Sequence, residues 1–320
     1  MPGVPRDCED ISVEQLERIM KEVKKAVSGK DAVLLWILTA LLADGHVLLE
    51  DIPGVGKTTI ALAFARAMDL DYGRMQFTPD VLPSDVTGYS AYDKETGRME
   101  YRPGAVLCNL FLADELNRAT SRTQSALLEA MEEGQVTVDG DSHPIPKPFF
   151  LFATQNPAGA AGTQLLPDSQ VDRFIVCLTV GYPDAQAECE MVRQRENGNP
   201  LDAICKAVSR EELLRMQKAC AAVYCKDEVL EYVVRLIGAT RKNDKLSRGA
   251  SPRSTLAVVS MAKAVAYMQG RDFIVPKDVE RVFVRTVAHR IKLSQEAELR
   301  GNTADSVLED ILKRAIVPKV

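Results

Sequence analysis

The feature that most constrains this chain is the run Glu50-Asp51-Ile52-Pro53-Gly54-Val55-Gly56-Lys57-Thr58-Thr59. It lies between the apolar His46-Val47-Leu48-Leu49 and the alanine-rich Ile60-Ala61-Leu62-Ala63-Phe64-Ala65-Arg66-Ala67-Met68. Together these spell a buried strand, a glycine-bearing turn and a helix, which is the setting a phosphate-binding loop needs. Gly54 and Gly56 lack Cβ, so the backbone can curl and aim several N–H groups at phosphate oxygens. The helix opening at Lys57 adds the positive end of its dipole, and Lys57 adds a full charge for the β- and γ-phosphates. Thr58 offers its hydroxyl to Mg2+, while Pro53, Val55 and Thr59 complete the loop around the nucleotide. Asp51 stands where the pattern G-x-x-x-x-G-K-[ST] has its first glycine, a position that begins the turn and tolerates another residue. An ordinary glycine-rich turn is the competing reading, and Gly-Lys-Thr-Thr at a helix start weighs against it.

At 320 residues the chain is too long for one typical core, so two domains are expected. With 46% hydrophobic and 27% charged residues it reads as a soluble globular protein. The longest apolar run, Ala32 to Ala43, is too short for a membrane span and predicts a buried helix beside the loop. Early charges (Arg6, Asp7, Glu9, Asp10) leave no signal-peptide core, so a cytoplasmic protein is expected. Seven cysteines without C-x-x-C, and only three histidines, predict reduced and mostly buried thiols, not a zinc site. A net charge of −5 counts against general nucleic-acid binding, which draws its affinity from phosphate neutralisation.

Along the chain, Ser12 with Gln15 predicts a helix N-terminus, followed by Leu16, Ile19, Met20, Val23 and Val27 at helical spacing. Ser28-Gly29-Lys30 breaks that helix, and Val27 and Gly29 in this turn are candidate adenine contacts. Arg74 to Thr78 predicts a second core strand. Pro79 to Pro103 is a long insertion with strand-like pieces, and insertions of that length are usually functional. The apolar run from Ala105 to Ala113 ends in Asp114-Glu115, which fits a parallel-sheet strand carrying chemistry at its C-terminal end. Asp114 suits Mg2+ through its water shell, and Glu115 suits the activation of a water for attack on the γ-phosphate. Downstream of a phosphate loop, that pair predicts an ATPase.

Asn117 to Glu133 reads as a helix, and Gln135 to Ile145, with Asp139-Gly140 at the turn, as a hairpin. Pro148 to Asn156 reads as another buried strand whose terminal Asn156 can reach the attacking water or γ-phosphate. Ile175 to Val180 is a last core strand, followed by a linker marked by Gly181-Tyr182-Pro183-Asp184 and Asn197-Gly198-Asn199-Pro200. From Leu201 onward the chain reads as helices, among them Arg210–Ala222, Asp227–Thr240, Ser254–Gln269 and Lys277–Arg290.

Several blocks together resemble the AAA+ superfamily and, within it, the MoxR family. They are the loop itself, Gln76 to Gly88, Arg102-Pro103-Gly104, Ala113 to Ala119, Gln124 to Glu133, Ala153 to Pro157, and Gly249-Ala250-Ser251-Pro252-Arg253. Ser28-Gly29-Lys30 replaces a more usual Val-Gly-Gln, and Asp168 to Phe174 varies a Glu-Ala-Gln-Leu-Asp-Arg-Phe pattern while keeping its arginine. The resemblance implies an α/β fold, an AAA+ P-loop αβα nucleotide-binding domain over residues 1–195 with a C-terminal all-helical lid over 196–320. The helix-2 insert would span about 78–103 and the hairpin before the first sensor about 135–146, both near a pore face and its substrate. It further implies a ring-forming ATPase, often hexameric, using ATP and Mg2+. Asn156 would be the first sensor, Arg253 the second sensor on the lid, and Arg173 the arginine finger toward a neighbour, with Arg118 the alternative finger. Members are similar to chaperones that assemble, mature or activate partner complexes, commonly with a von Willebrand factor A domain protein. A chelatase-like or DNA-acting motor of the same branch is the alternative. A passive nucleotide-binding scaffold is disfavoured, since it needs none of Glu115, Asn156 and Arg173.

Overall fold

The computed structural model describes residues 9–52, 54–156, 165–196 and 198–318. The chain opens with α1 (Glu9–Lys24) and α2 (Asp31–Leu42), then β1 (Val47–Glu50), α3 (Lys57–Ala67) and β2 (Tyr72–Gln76). The first insertion follows as α4 (Pro83–Thr87), β3 (Gly88–Asp93) and β4 (Arg98–Pro103), and leads into β5 (Leu110–Asp114) and α5 (Ser121–Glu133). Next come β6 (Gln135–Val138), β7 (Asp141–Pro144), β8 (Phe150–Gln155), α6 (Asp168–Val171), β9 (Val176–Leu178) and α7 (Ala185–Glu196). The C-terminal part comprises α8 (Arg210–Ala222), α9 (Asp227–Arg241), β10 (Leu246–Arg248), α10 (Pro252–Met268), α11 (Pro276–Val287), β11 (Lys292–Leu293), α12 (Gln295–Leu299) and α13 (Ala304–Arg314).

Five strands form one parallel sheet in the order β2-β5-β8-β1-β9. The inner strands β5, β8 and β1 are buried on both faces, while the edge strand β2 is partly exposed, and side chains alternate between two cores as the period of two demands. Leu110 and Leu112 of β5, Phe150 and Phe152 of β8, and Val47 and Leu49 of β1 enter one core. Their neighbours Phe111, Ala113, Leu151, Ala153 and Leu48 enter the other. Each such fully buried Val, Leu or Phe side chain contributes about 1.5–3 kcal/mol of transfer free energy. The first core runs without a break through α1, α2 and α3 into α8, α9, α10 and α11, so the lid shares the sheet's own hydrophobic interior. Polar ties seal the contact: the Gln217 side chain donates to the Leu41 carbonyl at 2.8 Å, and the Thr39 hydroxyl meets Met268 Sδ at 3.4 Å.

Several boundaries differ from the sequence reading for identifiable reasons. The first helix begins at Glu9, ahead of the expected Ser12 cap. The apolar run after Pro103 joins the sheet only from Leu110, because Ala105 and Val106 donate their N–H groups to Asp85 and Val86 (3.1 and 3.2 Å). The helix expected from Asn117 starts at Ser121, where Thr120 caps it by accepting from the Thr123 N–H. The expected linker holds α7, and the C-terminal part is not all helical. There β10 and β11 form an antiparallel ribbon, too short to show alternation, in which Ser247 Oγ also donates to the Leu293 carbonyl at 2.8 Å. The two insertion hairpins, β3–β4 and β6–β7, are joined by Tyr101 stacked on His143, with ring centroids 3.6 Å apart and planes 6° apart.

Of the six described cysteines, Cys108 and Cys220 are buried, Cys177 and Cys225 partly so, and Cys189 and Cys205 exposed. All six are free thiols, fewer of them buried than expected; Cys8 lies outside the described residues. Burial pushes the thiols of Cys108, Cys177 and Cys220 up to about 12, which keeps them protonated. Among the described residues no group of three or more His, Cys, Asp or Glu side chains could hold a metal ion, and no helix is long and apolar enough to cross a membrane.

Candidate active site

Between β1 and α3 the chain makes the turn its glycines dictate. Gly54 and Gly56 have φ of +90° and +92°, and a Cβ at either would meet nothing within 4 Å. The left-handed backbone demands glycine while the space beside it stays open, which is how a phosphate cradle is built. Gly56 caps α3 without any side-chain hydrogen bond, so the first N–H groups of that helix are left for an anion. Lys57 is buried, and its Nζ donates to the Asp51 carbonyl at 2.7 Å. Burial lowers the Lys57 pKa, opposed by the negative charges of Asp51, Asp114 and Glu115. The charges of those three carboxylates are therefore felt at the ammonium. Thr58 and Thr59 follow on the first turn of α3, with Val55 partly buried in the loop, and Pro53 lies outside the described residues.

Asp51 does more than tolerate the first glycine position. One of its carboxylate oxygens accepts from the Ile52 N–H at 2.8 Å, and the other accepts from the Gly181 N–H. The loop is thereby stapled to the segment that leads into α7. That segment also holds the turn before α2: Lys30 Nζ donates to the Tyr182 carbonyl at 2.7 Å, and Gly29 fits against Ala187. At Gly29, φ is +70° and a Cβ would come within 2.6 Å of the Ala187 Cβ. Val27 is buried beside it. The two adenine candidates and the phosphate loop thus share one support.

Two strands away, β5 ends in Asp114 and the backbone turns sharply at Glu115, with φ 56° and ψ 43°. A left-handed non-glycine residue costs roughly 1–2 kcal/mol and persists only where its surroundings hold it. Thr154 of β8 holds it here: its Oγ1 accepts from the Glu115 N–H and donates to Asp114 Oδ1, both at 2.8 Å. The Asn117 amide adds two bonds to the Asn156 backbone, at 3.3 and 3.4 Å. Asn156 Nδ2 in turn donates to Glu115 Oε1 at 3.2 Å, which joins the predicted acid and the predicted sensor directly. Glu115 also pairs with Arg118 at 2.9 Å and Asp114 with Arg74 at 2.7 Å. Beside them the buried Gln155 Oε1 has no hydrogen-bond partner among the described residues.

Arg173 and Arg253 do not join this cluster. Arg173, just after α6, donates to Glu132 at 2.6 Å and to the Leu128 carbonyl at 3.0 Å. Arg253, on the first turn of α10, donates to the other oxygen of the same Glu132. Sequence reasoning passed over Thr154, Asn117, Arg74 and Glu132. A threonine directly after the apolar run Phe149 to Ala153 is the available signal, since a buried polar group must find a partner. Glu132 gave none, because glutamates near the end of an amphipathic helix are ordinary.

A phosphate loop after an inner strand of a parallel sheet, an Asp–Glu pair at the end of the strand two places away and a helical lid define a P-loop ATPase domain of the AAA+ class. Residues 46–176 match the family "ATPase family associated with various cellular activities (AAA)", and residues 238–311 match an AAA lid domain. The chain is 41% identical over 303 residues to the YeaC protein of Bacillus subtilis, covering 95% of each. It is 38% identical to "Chaperone MoxR1" of Mycobacterium tuberculosis, covering 96% of this chain and 84% of that one. A solved structure from Cytophaga hutchinsonii superposes with a TM-score of 0.90 at 35% identity and covers 97% of both chains. The chain belongs to the MoxR family of AAA+ ATPases.

Proposed function

We propose that the chain binds ATP with Mg2+ and hydrolyses it to ADP and phosphate, in sites completed between subunits of a ring. One observation carries the reading: Asp114, Glu115 and Asn156 are joined by hydrogen bonds, with Thr154 between the two acids, into a single cluster whose carboxylate charges are felt at the Lys57 ammonium. The residues fit the cofactors. The loop offers left-handed glycines, open space and unpaired helix N–H groups, and Thr58 with Asp114 offers the hard oxygen donors that Mg2+ prefers. When bound, the ion neutralises charge on the β- and γ-phosphate oxygens. Lys57 and the α3 N-terminus bind the phosphates, Glu115 accepts the proton of the attacking water, and Asn156 orients that water or the γ-phosphate. Arg173 supplies positive charge to a neighbour's site, and Arg253 reports nucleotide state to the lid.

A general base contributes about 10²–10⁴-fold. Glu115→Gln is therefore expected to lower turnover by about 100-fold or more while ATP stays bound; turnover at the wild-type rate would remove Glu115 from its role. Mixing wild type with Arg173→Ala tests the shared site, since a ring loses more activity than dilution predicts. The boundaries at 195/196, the insert at 78–103 and the hairpin at 135–146 belong to the same reading, supported by the two matched regions. So do a hexamer, a cytoplasmic location, a von Willebrand factor A domain partner, and client complexes that the motor assembles or activates. Similarity to a protein named as a chaperone supports the last of these.

A further inference from the structure

The lid holds the chain on both sides of Arg173, through the Asp172 side chain on one and the Phe174 carbonyl on the other. Asp172 accepts from Ser251 Oγ at 2.9 Å and lies 3.6 Å from the Arg290 guanidinium. The Phe174 carbonyl accepts from Arg290 Nη2 at 2.6 Å and meets His289 Nε2 at 2.9 Å. Arg290 is buried, with only 1% of its side chain exposed. Arg173 itself shares Glu132 with the lid's Arg253. Every residue from 172 to 174 is thus tied, directly or through one carboxylate, to lid residues 251–253 or 289–290.

Two further properties distinguish this junction from a static ion-pair network. Three arginines (173, 253 and 290) face two carboxylates (Glu132 and Asp172), so the cluster carries one unbalanced positive charge. The charge is felt: burial first, with Arg253 adding to it and Asp172 opposing, pushes Arg290 down to about 10. Hydrogen bonding here is also incomplete. Of the ten buried side-chain polar atoms without a partner among the described residues, five lie on these two facing segments. They are Gln170 Oε1, Asp172 Oδ1, Arg173 Nε, His289 Nδ1 and Arg290 Nη1, a mixture of acceptors and donors. A buried network with unused donors and acceptors is costly, and a small shift that pairs them is favoured. Such a network leaves room for a second arrangement, which is what a switch requires.

We infer that Asp172, Ser251 and Arg290 form a clamp that makes the lid and Arg173 move as one unit, so that lid position sets whether Arg173 leaves Glu132 for an anionic ligand. This rests on the proposed role of Arg173, and it makes Asp172 and Arg290 positioning residues. The bond from Arg290 to the Phe174 carbonyl passes a lid rotation to the backbone beside the guanidinium, and the Asp172 carboxylate adds a second point of hold.

The test uses the full chain as wild type, Asp172→Asn and Arg290→Lys. Hydrogen exchange is followed in peptides covering 168–174 and 288–290, with ADP and with a non-hydrolysable ATP analogue, alongside kcat, KM and melting temperature. In wild type both peptides are expected to change protection together when the analogue replaces ADP. In either variant the lid peptide should still respond while 168–174 does not. Their kcat should fall about tenfold with KM within about twofold, and neither should add to the loss in Arg173→Ala. The clamp is overturned if 168–174 responds to nucleotide in the variants as in wild type, or if neither peptide responds in wild type. It is equally overturned if the losses of kcat add to that of Arg173→Ala. Should Arg173→Ala itself turn over ATP normally, the finger assignment fails, and the exchange data by themselves decide the coupling.

Discussion

The strand-end cluster and the lid junction are both polar, buried and assembled from distant residues, yet they differ in completeness. At the strand ends Thr154, Asn117 and Asn156 close a hydrogen-bonded ring around a left-handed Glu115. At the junction one glutamate serves two arginines and five buried atoms lack partners among the described residues. Beside the strand ends Gln155 Oε1 lacks a hydrogen-bond partner among the described residues, against five atoms at the junction, and the more nearly satisfied network is the more rigid. The difference teaches where this fold keeps its geometry fixed and where it allows change.

The comparison can be broken most decisively by pH, because the sheet, at the strand starts opposite the cluster, and the junction each hold a partly buried histidine. His46, under the sheet, is lowered to about 4 by burial, with its Nδ1 accepting from the Leu151 N–H. His289, at the junction, is lowered to about 3 by burial and by the adjacent Arg290 charge. Both folded values lie below that of the unfolded chain, which therefore binds protons first as pH falls. Stability is unaffected above about pH 6.5 and drops from there to about pH 4, where His46 alone costs about 3 kcal/mol at 1.36 per unit. Urea unfolding at several pH values should show this loss, and His46→Gln should remove about one proton from its slope.

Lys57→Ala sharpens the contrast at the fixed site. It deletes the loop's buried cation and should weaken binding of a fluorescent ATP analogue by about 100-fold, with little change in melting temperature. Thr154→Val keeps the shape but frees the Glu115 N–H and an Asp114 oxygen. Turnover should fall about tenfold with KM nearly unchanged, because alignment rather than binding is lost. If Thr154→Val were silent, the rigidity of the strand-end cluster would lie elsewhere. Gly29→Ala is the smallest of the set: the left-handed φ and the contact with Ala187 should cost about 1–2 kcal/mol, read as a lowered thermal midpoint.

Much of this was legible from residues alone. Gly54, Gly56 and Lys57 announced the loop because only glycine fits its backbone and only a helix start follows. The runs around Leu110 and Phe150 announced two-sided burial, and the spacing in Arg210–Ala222 gave a helix with the same bounds as α8. Less legible were elements whose partners decide them. The stretch 105–108 has a strand's composition but bonds to residues 85 and 86, and β10 and β11 exist only because they meet. Asp51 looked like a tolerated departure, and its bond to Gly181 spans 130 residues.

By itself, then, the sequence determined the phosphate loop, the alternation that buries the sheet on both faces, and the acidic pair at the end of a core strand. Those properties are local: backbone freedom, side-chain period and charge at a strand end act within a few residues. Tertiary structure alone decided that Thr154 locks Glu115 from 39 residues away, that Arg173 and Arg253 converge on Glu132, and that Arg290 grips the chain beside Arg173. A hydrogen bond needs its atoms within about 3 Å, and only strand register and helix docking bring residues so far apart in the chain to that distance.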